Sequence, residues 1–168
     1  MKSIVVYESY WGSTASAARA VAEGLGEGVR AMPTNEATAE ALAGVDLVVA
    51  GSPIIAFQLP SEKTRRDMAA KPDKKAPSPP DLSHPSIRSW LEALPKASAG
   101  ARCAAFETGF KLSPSNAATT ILKVFEALGY QPIAKKERFL VKTSYGPMKD
   151  GELDRAKAWG AELAKAVK

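Results

Sequence analysis

Apolar residues change their spacing repeatedly along this chain, and each change marks an element. Residues 2–8, KSIVVYE, hold a short β-branched run that reads as a buried strand. From Ser13 to about Gly28 the period becomes helical: Ala18, Val21, Ala22 and Leu25 recur at i, i+3, i+4 and i+7, and Gly26 and Gly28 end the run. VRAMP predicts a brief second strand, followed by a short helix over 36–43. VDLVVAGSP, residues 45–53, is a third strand closing on a Gly-Ser-Pro turn, and SWLEALP is the core of a helix that begins near Pro85. ARCAAFETG, 101–109, reads as a fourth strand. Residues 113–129 then place Ala118, Ile121, Leu122, Phe125 and Leu128 on one helical face, with Ser113 as N-cap, Pro114 at the first helical position and Gly129 as C-cap. ERFLVKTS is a fifth strand. The last helix, capped by Asp150, turns Leu153, Ala156, Gly160, Leu163, Ala164 and Val167 inward.

Five strands alternating with five helices predict an α/β domain: a doubly wound, five-stranded parallel sheet with helices on both faces, formed by residues 1–168 together. Ligands of such sheets sit beyond the carboxyl ends of the strands. The loops to watch are therefore 9–14, 51–60 and 107–113, each following a strand and each rich in Gly, Ser, Thr and Pro. The glycines of EGLGEG follow a helix instead of a strand, which excludes a dinucleotide fingerprint there. Residues 60–86 break the alternation. They hold six of the twelve prolines, six basic and four acidic side chains, a composition that predicts an extended, mobile surface loop.

Charge and composition narrow the chemistry. The formal net charge is +5, but there is no stripe of interleaved aromatic and basic residues, so nucleic acid is not the expected partner; the excess suits an acidic protein surface. No apolar run approaches the roughly 20 residues of a membrane span, and the five-residue run before Glu8 is too short for a signal peptide, so a cytoplasmic protein is expected. The single cysteine, Cys103, lies in an apolar run and reads as a buried structural thiol; CAAFETGFK lacks the arginine of a phosphatase loop. His84, the one histidine, has no second ligand nearby in sequence and reads as a surface or capping residue, not a metal site.

The concentrated chemistry is in YESYWGSTAS. Between strand and helix stand Ser9, Ser13 and Thr14 with Gly12, and no basic residue lies between Lys2 and Arg19. Two readings fit. Ser13 caps the helix and the other hydroxyls form a turn, or the hydroxyls and the free N–H groups of the helix's first turn form a phosphate socket. No Gly-Lys-Ser/Thr sequence follows, so this is not a Walker loop.

SYWGST resembles the phosphate loop of flavodoxins: Ser or Thr, two variable residues, Gly, a variable residue and Thr. VVAGSPIIAF resembles their loop after the third strand, and CAAFETGF their fourth strand with its flavin-contacting loop. The similarity runs through nearly the whole chain. Within that superfamily, PSEKTRRD and the ending YGPMKDGELDRAKAWGAELA look most like the small flavodoxin-like proteins of high-GC bacteria. The resemblance implies FMN as cofactor. Ser9, Tyr10, Trp11, Gly12, Ser13 and Thr14 would wrap its phosphate. Ser52, Pro53, Ile54 and Ile55, with Phe57, would flank one side of the ring. Glu107, Thr108, Gly109 and Phe110 would form the other wall. The chain departs from many flavodoxins in its aliphatic PIIAF tip and in its basic composition.

The resemblance implies an FMN-binding electron carrier working between redox protein partners. Two other functions remain open: an FMN-dependent NAD(P)H oxidoreductase of the quinone reductase type, and a flavin-free docking module on the same fold. No side chain is expected to be catalytic, because no nucleophile stands beside a base and Ser52 lacks the Gly-x-Ser-x-Gly elbow.

Overall fold

Alternation along the strands builds two core layers. In β1 (Ser3–Tyr7), Ile4 and Val6 enter one layer and Val5 the other; in β3 (Leu47–Pro53), Val48 and Ala50 oppose Leu47 and Val49. The computed structural model describes residues 2–167. With β2 (Arg30–Pro33), β4 (Arg102–Gly109) and β5 (Gln131–Pro132), these strands form a wholly parallel sheet in the order β2-β1-β3-β4-β5. A sixth strand, β6 (Glu137–Leu140), pairs with the far end of β4. Helices α1 (Ser13–Leu25) and α6 (Glu152–Ala166) cover one face. The other face carries α4 (Ile87–Glu92) and α5 (Ala117–Ala127), with α2 (Ala39–Leu42) packed at its margin.

The fifth strand expected over 137–144 is shorter, ending at Leu140, and a separate two-residue strand precedes it on the same edge. β5 pairs with Arg102 and Cys103, β6 with Phe106 through Gly109. Pro132 has no N–H for the ladder, and after Ile133 donates to Cys103 O the chain leaves the sheet until Glu137. The detour leaves Lys135 and Lys136 exposed. The outer side of β6 is occupied by side chains of α6: Leu140 N–H donates to Glu152 Oε2 (2.7 Å), and the Arg155 guanidinium donates to the Arg138 carbonyl.

Where α1 meets α6 the helices touch through glycine. A Cβ on Gly160 would stand 2.2 Å from Val21 O, and one on Gly24 would stand 1.9 Å from Lys157 O, so no side chain fits at either position. The inward set on α6 is Ala156, Trp159, Gly160 and Leu163, with Val167 buried just beyond its end; Leu153, expected inward, is 42% exposed. Its place is taken by Trp159, which packs on Phe106 and Phe139.

Two caps also differ from expectation. α6 starts behind Gly151, in the left-handed region at φ 79, and not behind Asp150. α5 starts at Ala117 and not beside Ser113, because its N-terminus is held by a carboxylate from the sheet: Glu107 Oε2 accepts the Ala118 N–H (3.0 Å) and the Ser115 hydroxyl (3.0 Å). The 60–86 segment is the largest correction. Instead of remaining extended it forms α3 (Glu62–Ala70), capped by the Ser61 hydroxyl, and it buries Arg65, His84 and Ser86. His84 is thus an interior residue and not a surface one.

Candidate functional site

The loops after β1, β3 and β4 converge on a cavity of about 400 Å³ at the carboxyl end of the sheet. Its floor is the turn into α1. Gly12, at φ 99, occupies the cap position in a left-handed conformation that side chains other than glycine adopt only at a cost. No side chain caps this helix, so Ser13 is its first residue and not its cap. The Ser9 hydroxyl accepts the Gly12 N–H (3.1 Å), and the first intrahelical bond runs from Ser16 N–H to Gly12 O (2.9 Å). The N–H groups just before Ser16 therefore lack helical acceptors and lie at the positive end of the macrodipole.

Buried carboxylates brace this end of the sheet on both sides of β3. Glu8, at the end of β1 and fully buried, accepts three bonds: Tyr10 hydroxyl (2.5 Å) and Arg65 Nη1 (2.6 Å) on Oε1, Ile87 N–H (2.9 Å) on Oε2. Arg65 Nη2 also donates to His84 O (2.5 Å), and the His84 ring meets Ser9 O through Nε2 at 3.1 Å. A closed circuit of Glu8, Arg65 and His84 thereby fixes the backbone of Ser9. Burial, then the neighbouring Glu8 charge, raises the Tyr10 hydroxyl well above its ordinary value, so it remains a donor. Burial opposes charge on Arg65, yet its proximity to Tyr10 and its bond to Glu8 outweigh that and hold it above its usual value.

Glu107 mirrors Glu8. It is fully buried, pairs with Arg138 (2.7 Å) and binds the N-terminus of α5. Burial alone would raise its pKa, but the Ala118 N–H, Arg138 and Ser115 bonds prevail and hold it below the usual carboxylate range.

Of the fifteen residues singled out from sequence, twelve line the cavity. Ser9, Tyr10, Trp11, Ser13 and Thr14 come from the first loop, Pro53, Ile54, Ile55 and Phe57 from the second, and Thr108, Gly109 and Phe110 from the third. The loops are joined to one another: Thr14 and Thr108 hydroxyls meet at 2.8 Å, and Ile54 N–H donates to Thr108 O (2.9 Å). Three residues lie elsewhere. Ser52 is fully buried with its hydroxyl on Pro53 O, Gly12 borders a neighbouring depression, and the Glu107 carboxylate is committed to α5 and Arg138.

Sequence reasoning missed one wall. Met68, Lys71, Pro72 and Asp73 from the 60–86 segment, and Tyr145 after β6, also line the cavity. The segment is tied down over the first loop: Trp11 Nε1 donates to Ser78 O (3.0 Å) and Asp81 N–H to Tyr10 O (2.9 Å). Tyr145 donates its hydroxyl to Asp73 and stands edge-on to Trp11, with ring centroids 4.8 Å apart. That bond holds the Asp73 carboxyl below and the Tyr145 hydroxyl above their ordinary values. Isolated aromatics such as Tyr145, in a sequence without helical or strand period, gave no signal of this role.

Among the described residues no cluster of His, Cys, Asp and Glu could hold a metal ion, and no helix is long and apolar enough to cross a membrane. No protein-family model matches the sequence, and no curated protein matches it. Solved structures do. An archaeal flavodoxin superposes with a TM-score of 0.67 at 19% identity, covering 99% of both chains. Flavodoxin 1 of Bacillus cereus gives 0.67 at 15% identity over 98% of both. A flavodoxin-like, WrbA-like protein of Agrobacterium tumefaciens gives 0.59 at 19%, covering 99% of this chain and 96% of its own.

Proposed function

The fold is flavodoxin-like, and from that premise we propose that the chain binds FMN in the cavity and carries electrons between redox proteins. The observation that carries this reading is the coincidence of a capless helix N-terminus, free of carboxylates, with two apolar walls on the adjoining loops. The residues fit such a cofactor. Gly12 leaves open space where a side chain would stand, and Ser13 keeps its hydroxyl out of helix capping. Together with the Ser9 hydroxyl and the first-turn N–H groups, they would hold a phosphate dianion, each charge-assisted bond contributing about 1.5–3 kcal/mol. Ile54, Ile55 and Phe57 would lie along one side of the ring, with Gly109 and Phe110 on the other.

When bound, the flavin supplies the one- and two-electron chemistry. The chain supplies position and a dry, fixed surround. The Thr14–Thr108 bond holds two walls in register, and the Glu8–Arg65–His84 circuit keeps Ser9 O and the turn behind it in place. Lys71 in the cavity lining, and the neutralisation of Glu107 by Arg138, favour added electron density on a bound ring. The lysines around the cavity suit acidic redox partners.

The test is an absorbance titration of the purified chain with FMN. Saturable quenching of FMN fluorescence, lost in Ser13→Glu, supports the reading; no binding at tens of micromolar FMN overturns it. Anaerobic NADPH added to the loaded protein then distinguishes carrier from oxidoreductase, since only the latter bleaches the flavin band at a useful rate.

A further inference from the structure

The tip of the loop after β3 is a tight turn with an unexpected sequence. Ile55 and Gln58 exchange both backbone bonds at 3.1 Å, and the two residues between them, Ala56 and Phe57, have φ 49 and 65. These are the only residues other than glycine with positive φ among the described residues, and such a turn ordinarily selects Asn and Gly. The conformation sends Phe57 outward, 61% exposed. Strain retained at a ligand-bearing loop points to a use for the geometry it imposes.

Phe57 has company. Among the described residues the exposed large hydrophobics are Phe57, Phe110, Leu112 and Leu153; Phe57 and Phe110 line the cavity, and Leu112 follows Phe110 by two residues on the same loop. The Asn116 N–H donates to Phe57 O at 3.4 Å, tying the two loops together. Leu112, at 91% exposure, contributes nothing to the core.

The charge around them is one-sided. Lys71, Lys74 and Lys75 follow α3 on one flank; Lys111 stands between Phe110 and Leu112; Lys135 and Lys136 project from the break between β5 and β6. Lys136 donates to Ser115 O (3.1 Å) and lies 3.8 Å from the buried Glu107. Asp73 is the one carboxylate between Lys71 and Lys75, and Glu137 follows directly after Lys136. The chain has 23 basic and 18 acidic residues, and setting aside the six lysines and Asp73 leaves seventeen of each. Those seven residues alone carry a net +5, with Lys71 and Asp73 in the cavity lining and Lys111 and Lys136 beside a neighbouring depression that also holds Glu137, Arg138 and Arg155.

The geometry points to a docking surface: Phe57, Phe110 and Leu112, ringed by lysines, form the contact for an electron-transfer protein whose own redox edge is apolar and bordered by carboxylates. This deepens the electron-carrier reading and rests on it. A second copy of the chain is disfavoured because it would oppose lysine to lysine. An anionic membrane is disfavoured because the apolar residues ride on short loops around a cavity, with no amphipathic helix to lie in the interface.

Two c-type cytochromes of opposite surface charge serve as probes. The loaded chain is reduced with dithionite, excess reductant is removed, and oxidation is followed by stopped flow. Each encounter moves one electron from the reduced flavin to the haem, taking Fe(III) to Fe(II); two encounters restore the oxidised flavin, whose protons pass to water. At low salt the acidic cytochrome should react about tenfold or more faster than the basic one, and salt should slow the first and speed the second. Lys74→Glu/Lys75→Glu/Lys111→Glu should slow the acidic reaction about tenfold with flavin affinity unchanged, and Leu112→Ser should slow it at every salt concentration. Equal rates, faster reaction with the basic cytochrome, or no effect of the lysine variant overturns the proposal.

Amide shift mapping with the acidic cytochrome on the flavin-free chain separates the two claims. Shifts centred on residues 56–58, 74–75 and 110–112, in a chain that takes up no FMN, would sink the carrier reading and keep the surface. Shifts elsewhere, or tighter binding to phosphatidylserine vesicles through these residues, would sink the surface.

Discussion

Removing the Arg65 guanidinium tests whether the first loop depends on charge carried by a distant segment. Its side chain is 9% exposed and that of Glu8 is fully buried, so Arg65→Met leaves a carboxylate in the interior with only the Tyr10 hydroxyl and Ile87 N–H. Breaking one partner of such a pair costs about 3–5 kcal/mol. At about 2–4 °C per kcal/mol for a chain of this size, the melting temperature should fall by roughly 6–20 °C. Glu8→Gln/Arg65→Met removes both charges and should be more stable than Arg65→Met by at least about 1 kcal/mol. Urea unfolding followed by tryptophan fluorescence and circular dichroism gives all three stabilities. The reasoning fails if Arg65→Met costs less than about 1 kcal/mol, or if the double variant is no more stable than the single. Amide exchange at Ser9, Tyr10 and Trp11 should quicken in the single variant, because His84 loses its tie to Arg65.

Other outcomes follow from separate parts of the molecule. Gly160→Ala should destabilise by about 1–3 kcal/mol despite alanine's helical advantage, since the new methyl meets backbone; combined with Gly24→Ala the loss should be less than additive in urea unfolding, because both force the same helices apart. Burial pushes the Cys103 thiol up to about 12, so it should resist thiol reagents at pH 8 until the protein unfolds, as mass spectrometry would register. Glu107 has a folded-state pKa below its unfolded one, so it stabilises above the unfolded value and that share is lost as pH falls through the folded value. The stability gap between the parent chain and Glu107→Gln should thus hold at neutral pH and close below about pH 4. Ala56→Asn/Phe57→Gly should raise stability by about 1–2 kcal/mol in thermal unfolding by relieving the left-handed turn.

The alternation of strands and helices was legible because apolar periodicity records burial directly, as Ala18, Val21, Ala22 and Leu25 do on α1. The cavity's three loops were legible for the same reason, since parallel topology places them together. The 60–86 segment was not. The buried residue of α3 is Arg65, and what draws it inward is a carboxylate fifty-seven positions earlier, which no local window sees. Ser113-Pro114 offered a good local start for α5, but the buried Glu107 offered a stronger one at Ala118. Glu107 was read as part of a flavin wall by its place in a familiar loop, and the structure adds that its carboxylate holds the start of α5 and Arg138. The break at Pro132 was visible as a residue, but its consequence depended on where the ladder with β4 resumed.

The side chains laid along β6 have a consequence for the chain in a crowded solution. An open strand is a template on which another chain can extend a sheet. Here Glu152 already answers the Leu140 N–H and Arg155 the Arg138 carbonyl, so an incoming strand would have to evict two charged groups and recover their bonds. At the opposite margin β2 offers four residues ending in Pro33. Sheet-to-sheet polymerisation is opposed on one side by charge and on the other by brevity.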